Sequence, residues 1–314
     1  QIFARDNNSF VGGDYFYEEI RKKLFKNYGT DTLYSDGLII KTSLNTDLQN
    51  LAEDSLINGL IKYDKNQGWR GAVGNINEYN QNFEDAVKKI KNPFPNKWFL
   101  AKIEKISLTK LFLSTIKLES IEIDLKLQPN KWLANKQFKK NDLLFIEKNN
   151  SSYVVRQIPI VNGAIIVIDP FSGDILAMSG GFSFELSQFN RSTQAKRQPG
   201  SAFKPFVYIS ALKKGYTPST LILDAPYVID QGPGLPKWKP ANYSDEFYGL
   251  TTMRVGIEKS RNLMTIRLAN KIGIDKILSS AKDFGIETYL DKNMSMSLGS
   301  GLVTLIDLTN AYGI

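Results

Sequence analysis

Five serines in this chain stand three residues before a lysine: Ser107, Ser114, Ser201, Ser210 and Ser279. A hydroxyl and an amine one helical turn apart can act as a nucleophile and its base. That route matters here because the chain has no His and no Cys. Those two absences exclude a Ser-His-Asp triad, an imidazole base, His-liganded metals, a thiol nucleophile, zinc knuckles, iron–sulfur clusters and disulfides. Catalysis must therefore run on hydroxyls, Lys, Arg, carboxylates, amides and backbone. There is no phosphate loop, dinucleotide fingerprint or zincin motif, so no metal or organic cofactor is expected.

Context separates the five serines. Ser107 and Ser114 lie in strand-like sequence, where positions i and i+3 point to opposite faces. Ser210 falls inside a helical pattern, where its hydroxyl bonds back to a carbonyl. Ser279 lies in a polar helical stretch. Ser201 follows the turn Arg197-Gln198-Pro199-Gly200 and opens a helix made apolar by Phe203, Phe206, Val207 and Leu212 and ended by Lys213, Lys214 and Gly215. Lys204 then shares a side with Ser201. The positive end of the helix favours an alkoxide, and burial beside Phe203 and Phe206 lowers the lysine pKa, so Lys204 can take the Ser201 proton. On the spacing alone, a helix cap followed by a solvated lysine is the competing reading.

The elements that must position these residues divide the 314 residues into stretches of different character. Residues 1–37 are polar and aromatic, with a helix expected near Asp14 to Phe25. Lys41-Thr42-Ser43-Leu44 reads as a strand. Thr46-Asp47-Leu48-Gln49 reads as a capping box, followed by a helical face of Leu48, Leu51, Ala52, Leu56, Leu60 and Tyr63 that ends near Asp64. Across 70–156, five short strands are expected: Trp98 to Ile106, Leu111 to Leu118, Glu119 to Leu127, Leu143 to Lys148 and Ser152 to Ile158. They suggest a small antiparallel barrel. Gly163 to Ile168 reads as a buried strand, Asp169 to Gly173 as a turn, and Ile175 to Ser179 as the returning arm. Helices are expected at Ser201 to Lys214, Thr252 to Lys259, Leu263 to Ile272 and Asp275 to Phe284, which gives an α+β class.

At 42% hydrophobic and 11% aromatic the chain can bury a core. Its 40 basic and 32 acidic residues give a net charge of +8. The excess is even: 23 basic and 19 acidic residues up to 155, 17 and 13 after it. An even excess disfavours a nucleic-acid arm; it is compatible with an anionic membrane or polymer nearby, but on charge alone ordinary solubility is the simpler reading. No apolar run is long enough to cross a bilayer and no signal peptide is present. The chain begins at Gln1 and stops at Ile314 within an apolar-periodic segment, which reads as a fragment cut at both ends.

Ser187 to Phe206, running through Arg197-Gln198-Pro199-Gly200-Ser201-Ala202-Phe203-Lys204, resembles the active-site segment of class A (bifunctional) penicillin-binding proteins. Ile168-Asp169-Pro170-Phe171-Ser172-Gly173-Asp174-Ile175-Leu176-Ala177-Met178, Asp224-Ala225-Pro226 and Lys239-Pro240-Ala241-Asn242-Tyr243 match further landmarks. Tyr15-Phe16 to Gln49 resembles the segment joining that family's glycosyltransferase and transpeptidase domains. The resemblance implies a penicillin-binding/serine β-lactamase-like transpeptidase fold carrying an inserted oligonucleotide-binding-like barrel. The implied domains are a linker at 1–37 after a missing glycosyltransferase domain, the start of the transpeptidase domain at 38–69, the barrel at 70–156 and the truncated transpeptidase domain at 157–314.

The same resemblance assigns roles. Ser201 is the acylated serine and Lys204 its base. Ser260-Arg261-Asn262, 59 residues after Ser201, is the second motif: Ser260 relays a proton to the leaving group, and Asn262 binds substrate backbone and the lysine. A Ser-x-Asn is weak by itself, since Ser43-Leu44-Asn45 is another and Ser260 also reads as a helix cap. The third motif, Lys-Thr/Ser-Gly, does not occur in these residues. In the family it lies beyond the segment similar to Leu298 to Thr304 and supplies a substrate-carboxylate cation and an oxyanion amide, the Ser201 amide being the other. These residues alone are therefore expected to acylate weakly or not at all.

The implied activity is peptidoglycan D,D-transpeptidation on stem peptides ending in D-Ala-D-Ala, with β-lactams as inhibitors. The implied place is the periplasmic face of the bacterial inner membrane, through an anchor outside the chain. A D,D-carboxypeptidase, a serine β-lactamase, and a scaffold whose barrel recruits an activator protein remain alternatives. Glu258, Asp169, Asp174, the cluster Arg191, Lys196 and Arg197, and the aromatics Trp238 and Tyr243 read more simply as surface, turn or packing residues.

Overall fold

The computed structural model describes residues 12–118, 120–150, 152–230, 233–234 and 236–314. Residues 1–11 of the expected linker and Glu119 of the third expected strand lie outside that set. The chain divides into two compact units: residues up to 167 with 176–190, and 168–175 with 191–314.

In the first unit, α1 (Asp14–Ser35) is broken at Gly29 (φ 77°, ψ −179°), so it is two helices across a kink. It is followed by α2 (Thr46–Asn66). Then come β1 (Gly74–Asn75), α3 (Phe83–Lys89), β2 (Trp98–Ile106), β3 (Lys110–Ser114), β4 (Ile121–Asp124), β5 (Asp142–Asn149) and β6 (Ser152–Arg156). These six strands form one antiparallel sheet ordered β1-β5-β2-β3-β4, with β6 also paired to β5. The ladder from β2 to β3 is offset between Ile103 and Lys105, a bulge that increases local twist. All of β2 to β6 send residues into one apolar cluster around Ile103, Leu113, Ile123, Ile146 and Val155. The opposite face of β2 and β5 is also covered, since Trp98, Leu100, Leu143 and Phe145 pack with Ile61, Ile76, Ala86 and Phe182.

Helix α2 departs from the sequence expectation. Its cap is Asn45, whose side chain accepts from the Asp47 and Leu48 N–H groups, so no box closes between Thr46 and Gln49. Gln49 is instead fully buried, and its amide accepts from Met178 N–H (2.8 Å) and donates to Met178 O (2.9 Å). One side chain thereby satisfies both main-chain groups of a residue on a sheet edge. The buried face is Gln49, Ala52, Ile61 and Asp64, while Leu51 and Tyr63 are exposed. Ala52 is buried and Leu48, Leu56 and Leu60 are half-buried as the periodicity marks, and polar contacts extend the buried face to Gln49 and Asp64. The expected strand at 41–44 is extended chain outside any ladder, tied to the first unit by Asn45 N–H to Leu176 O. Among the described residues β7 (Ile165–Ile168) and β8 (Ile175–Ser179) form a two-stranded sheet, and β7, expected to be buried, is half-buried.

In the second unit the turn at 168–175 forms as its residues require. Asp169 Oδ1 accepts from Phe171 N–H, and Gly173 takes φ 76°. A 3₁₀ turn (Gly200–Phe203) leads into α4 (Lys204–Lys213). β9 (Leu221–Asp224) pairs antiparallel with β10 (Gly249–Thr252), and α5 (Met253–Glu258), α6 (Asn262–Ile272), α7 (Ile274–Asp283) and α8 (Leu305–Gly313) follow. The core gathers Phe203, Phe206 and Val207 of the α4 region with Met264 and Leu268 of α6, Ile277 of α7 and Ala311 of α8. The domain is α+β, as its sequence pattern implies. Among the described residues no helix is long and apolar enough to cross a membrane.

Asp64 anchors the first unit. It is 3% exposed and accepts from Arg70 at 2.8 and 2.9 Å, Gln157 at 2.7 Å and Ile160 N–H at 3.1 Å. Burial raises the carboxyl pKa, but the donors from Arg70, Gln157 and Ile160 outweigh it and hold the group below its ordinary value. A lowered carboxyl pKa stabilises above the unfolded-state value and is lost as pH falls through the folded one. Asp64→Ala should destabilise the protein by about 2–3 kcal/mol at neutral pH, read from urea midpoints. That gap should close as pH falls through the carboxylate range.

Candidate active site

Ser201 sits in the 3₁₀ turn, and the α-helix begins at Lys204 rather than at Ser201. In a 3₁₀ turn residues i and i+3 eclipse, so Ser201 and Lys204 share one side, and Lys204 N–H donates to Ser201 O. Neither helical start has a side-chain cap, so Ser201 caps nothing. Ser201 is exposed, whereas Lys204 is 2% exposed.

The turn is fixed from outside. Gly200 N–H donates to Gly299 O at 3.1 Å, Gln198 to Ser300 O at 3.0 Å, and Tyr312 Oη to Ala202 O at 2.7 Å. Arg197 and Val303 exchange both main-chain hydrogen bonds. Gly299 (φ 78°) lies so near that a Cβ on it would come within 2.1 Å of Gly200 O. Only glycine fits there.

Lys204 Nζ donates to Ser260 O (2.6 Å), Ser260 Oγ (3.0 Å) and Asn262 Oδ1 (2.7 Å). Three donors thus meet three oxygens, none of them charged. Burial pushes the ammonium down to about 8. The unfolded chain keeps this proton up to about 10.5, so the penalty of burying the charge is relieved as pH rises between those values. Two of the three partners can only accept. The Ser260 hydroxyl can also donate, so it alone can turn its proton toward a neutral Lys204 amine.

Ser260 is placed by the end of α5. Its N–H donates to Ile257 O (3.0 Å) and Arg261 N–H to Gly256 O (2.8 Å), the two bonds of a Schellman motif. Ser260 holds the left-handed position at φ 53°, where glycine is the usual residue. Asn262 is the first residue of α6, and its Nδ2 donates to Ala241 O at 2.8 Å. A carbonyl only accepts, so the amide nitrogen must face Ala241 and the oxygen must face Lys204.

The other candidates separate. Ser210 Oγ donates to Phe206 O at 2.7 Å, as its place inside a helix predicts. Tyr243 is fully exposed, which excludes core packing, while Trp238 is half-buried and bridges Ile229 through its main chain. Lys196, Arg197 and Glu258 are exposed. Sequence reasoning marked Asp224 and Asn242 as landmarks without a role, yet both are buried beside Asn262. Asp224 closes β9 and Asn242 lies in a Pro-rich loop, and a polar residue type at either place gives no hint of burial.

The left-handed strain at Ser260 can be isolated by comparing two variants that both lack the hydroxyl. Ser260→Gly should exceed Ser260→Ala in stability by about 1 kcal/mol in urea melts, because only the alanine still carries a Cβ at positive φ. Equal stability would mean the position is unstrained.

Residues 163–301 match the family model of the penicillin-binding protein transpeptidase domain. Penicillin-binding protein 1A of Rickettsia bellii is 40% identical over 99% of this chain and 40% of its own length. The Neisseria lactamica protein of that name is 31% identical over 96% and 39%. The crystal structure of penicillin-binding protein 1A from Haemophilus influenzae superposes with a TM-score of 0.87 at 29% identity, covering 100% of this chain and 47% of that one. PonA1 of Mycobacterium tuberculosis, solved with penicillin V, shares the fold at 16% identity and a TM-score of 0.56. The chain spans about 40% of the length of the curated relatives it matches. The chain belongs to the class A penicillin-binding proteins, with homologues named penicillin-binding protein 1A along nearly its whole length and a transpeptidase domain at 163–301.

Proposed function

We propose that the chain is the transpeptidase portion of a peptidoglycan D,D-transpeptidase working through a serine acyl-enzyme. The observation that carries this reading is Lys204, a buried amine of lowered pKa held by Ser260 and Asn262 one turn after an exposed serine. The Ser201 Oγ–H bond breaks, its proton goes to the neutral Lys204 amine, and Oγ bonds to the penultimate D-Ala carbonyl carbon. The Ser201 amide, with one further donor, holds the oxyanion. Collapse breaks the C–N bond, and the proton passes from Lys204 through the Ser260 hydroxyl to the departing D-Ala nitrogen. An amine from a second stem peptide then attacks the ester, displaces Ser201 Oγ and returns its proton, leaving a crosslink. A β-lactam follows the first half, but its leaving nitrogen stays tethered.

Residues 1–37 act in this reading as a linker and 38–69 begin the transpeptidase domain. Residues 70–156 are an inserted barrel that recruits an activator protein, and 157–314 carry the chemistry. The protein works at the periplasmic face of the inner membrane. Without a Lys-Thr/Ser-Gly triplet, the 314 residues taken alone acylate weakly. A D,D-carboxypeptidase uses the same side chains with water as acceptor, and product analysis with and without an acceptor amine separates the two.

Fluorescent penicillin should label the intact protein, and Ser201→Ala should abolish the label; label retained on Ser201→Ala removes the nucleophile assignment. The acylation rate should rise with pH through about 8, because only the unprotonated Lys204 amine is a base. At pH 7 roughly a tenth of the molecules hold it neutral. A rate flat from pH 6 to 9 would exclude Lys204 as the base.

A further inference from the structure

Asn262 owes its orientation to a buried pair that none of the motif residues includes. Asn242 is 4% exposed and Asp224 is 0% exposed. Asn242 Oδ1 accepts from Asn262 N–H at 2.9 Å and from Leu263 N–H at 3.3 Å, the first two main-chain donors of α6. Helices leave their first N–H groups without internal partners, and α6 has no side-chain cap of its own. Asn242 supplies that cap from twenty residues away. Its Nδ2 donates to Asp224 Oδ1 at 2.8 Å and to Glu246 O at 3.0 Å, which sets the amide so that its oxygen meets α6. Asp224 Oδ2 faces Arg261 Nε at 3.9 Å, and the Arg261 guanidinium lies 3.3 Å from the centre of the Tyr248 ring.

We propose that Asn242, locked by Asp224, is a positioning residue that aims Asn262 Oδ1 at Lys204. This rests on the acyl-transfer reading above. Asn242 does not touch the reacting atoms. It fixes the main chain of Asn262 through its oxygen, while the adjacent Ala241 carbonyl fixes the Asn262 side chain. One two-residue segment thus holds both ends of the asparagine that holds the base. Loss of Asn242 frees the start of α6, and small displacements of a base cost large factors in rate.

The test is a double-mutant cycle on fluorescent-penicillin acylation rates in the intact protein, using Asn242→Ala, Asn262→Ala and the double variant. Asn242→Ala should slow acylation about tenfold to a hundredfold. In the Asn262→Ala background it should slow the reaction by no more than about twofold, because its route to Lys204 is already gone. Losses that multiply, or an unchanged rate in Asn242→Ala, overturn the proposal. Asn242→Asp with Asp224→Asn covers the case in which the alanine variants do not fold. It keeps an oxygen on α6 and reverses the donor and acceptor of the buried pair. It should recover at least half of the loss caused by Asn242→Asp alone, on a logarithmic scale; no recovery in a variant that melts like the parent overturns the proposal. Parent protein that does not label, or label on Ser201→Ala, strikes the acyl-transfer reading instead.

Discussion

A lysine ammonium removed from water and given three neutral oxygens is the constraint around which the second unit is arranged. A buried cation with no carboxylate partner is expensive to hold charged, and the same expense makes it a usable base near neutral pH. The three oxygens are brought there by different devices. Ser260 contributes two, its carbonyl and hydroxyl, from the left-handed position that ends α5. Asn262 contributes the third from the opening residue of α6. A carboxylate in place of any of these would raise the amine pKa and keep it protonated near neutral pH.

Much of this was legible in the sequence because it depends on local rules. The turn before Ser201, the apolar helix after it, and the helices on either side of Ser260 follow from Pro, Gly and periodic apolar residues. The pairing of Lys204 with Ser260 and Asn262 needed kinship with a known family, since their spacing of more than fifty residues carries no physical signal. Asn242 and Asp224 were invisible for another reason. Asn242 is buried by a loop folding back over the start of α6 and Asp224 by the inward face of β9, and polar residue types ordinarily face water.

The first unit shows the same limit. Periodicity placed α2 and most of its inner face, with Ala52 buried and Leu48, Leu56 and Leu60 half-buried, but it missed Gln49 and Asp64, which are held inside by hydrogen bonds that apolar counting ignores. Strands β2, β5 and β6 were readable because they carry runs of apolar or β-branched residues. The pair β9 and β10 was not, since in β9 the apolar Leu221 and Leu223 are exposed while Ile222 and the polar Asp224 face inward, an alternation that residue types do not show. The run at 165–168 reads as a buried strand, and among the described residues it is half-buried and pairs with β8.

The contact between Gly299 and Gly200 is made by main chain alone, between residues 99 positions apart. A junction of this kind is indifferent to what decorates the cleft. Neighbouring side chains can change without shifting the main chain that carries Ser201. Gly299 itself is closed to any residue with a Cβ, so sequence change around the turn must proceed about that fixed point.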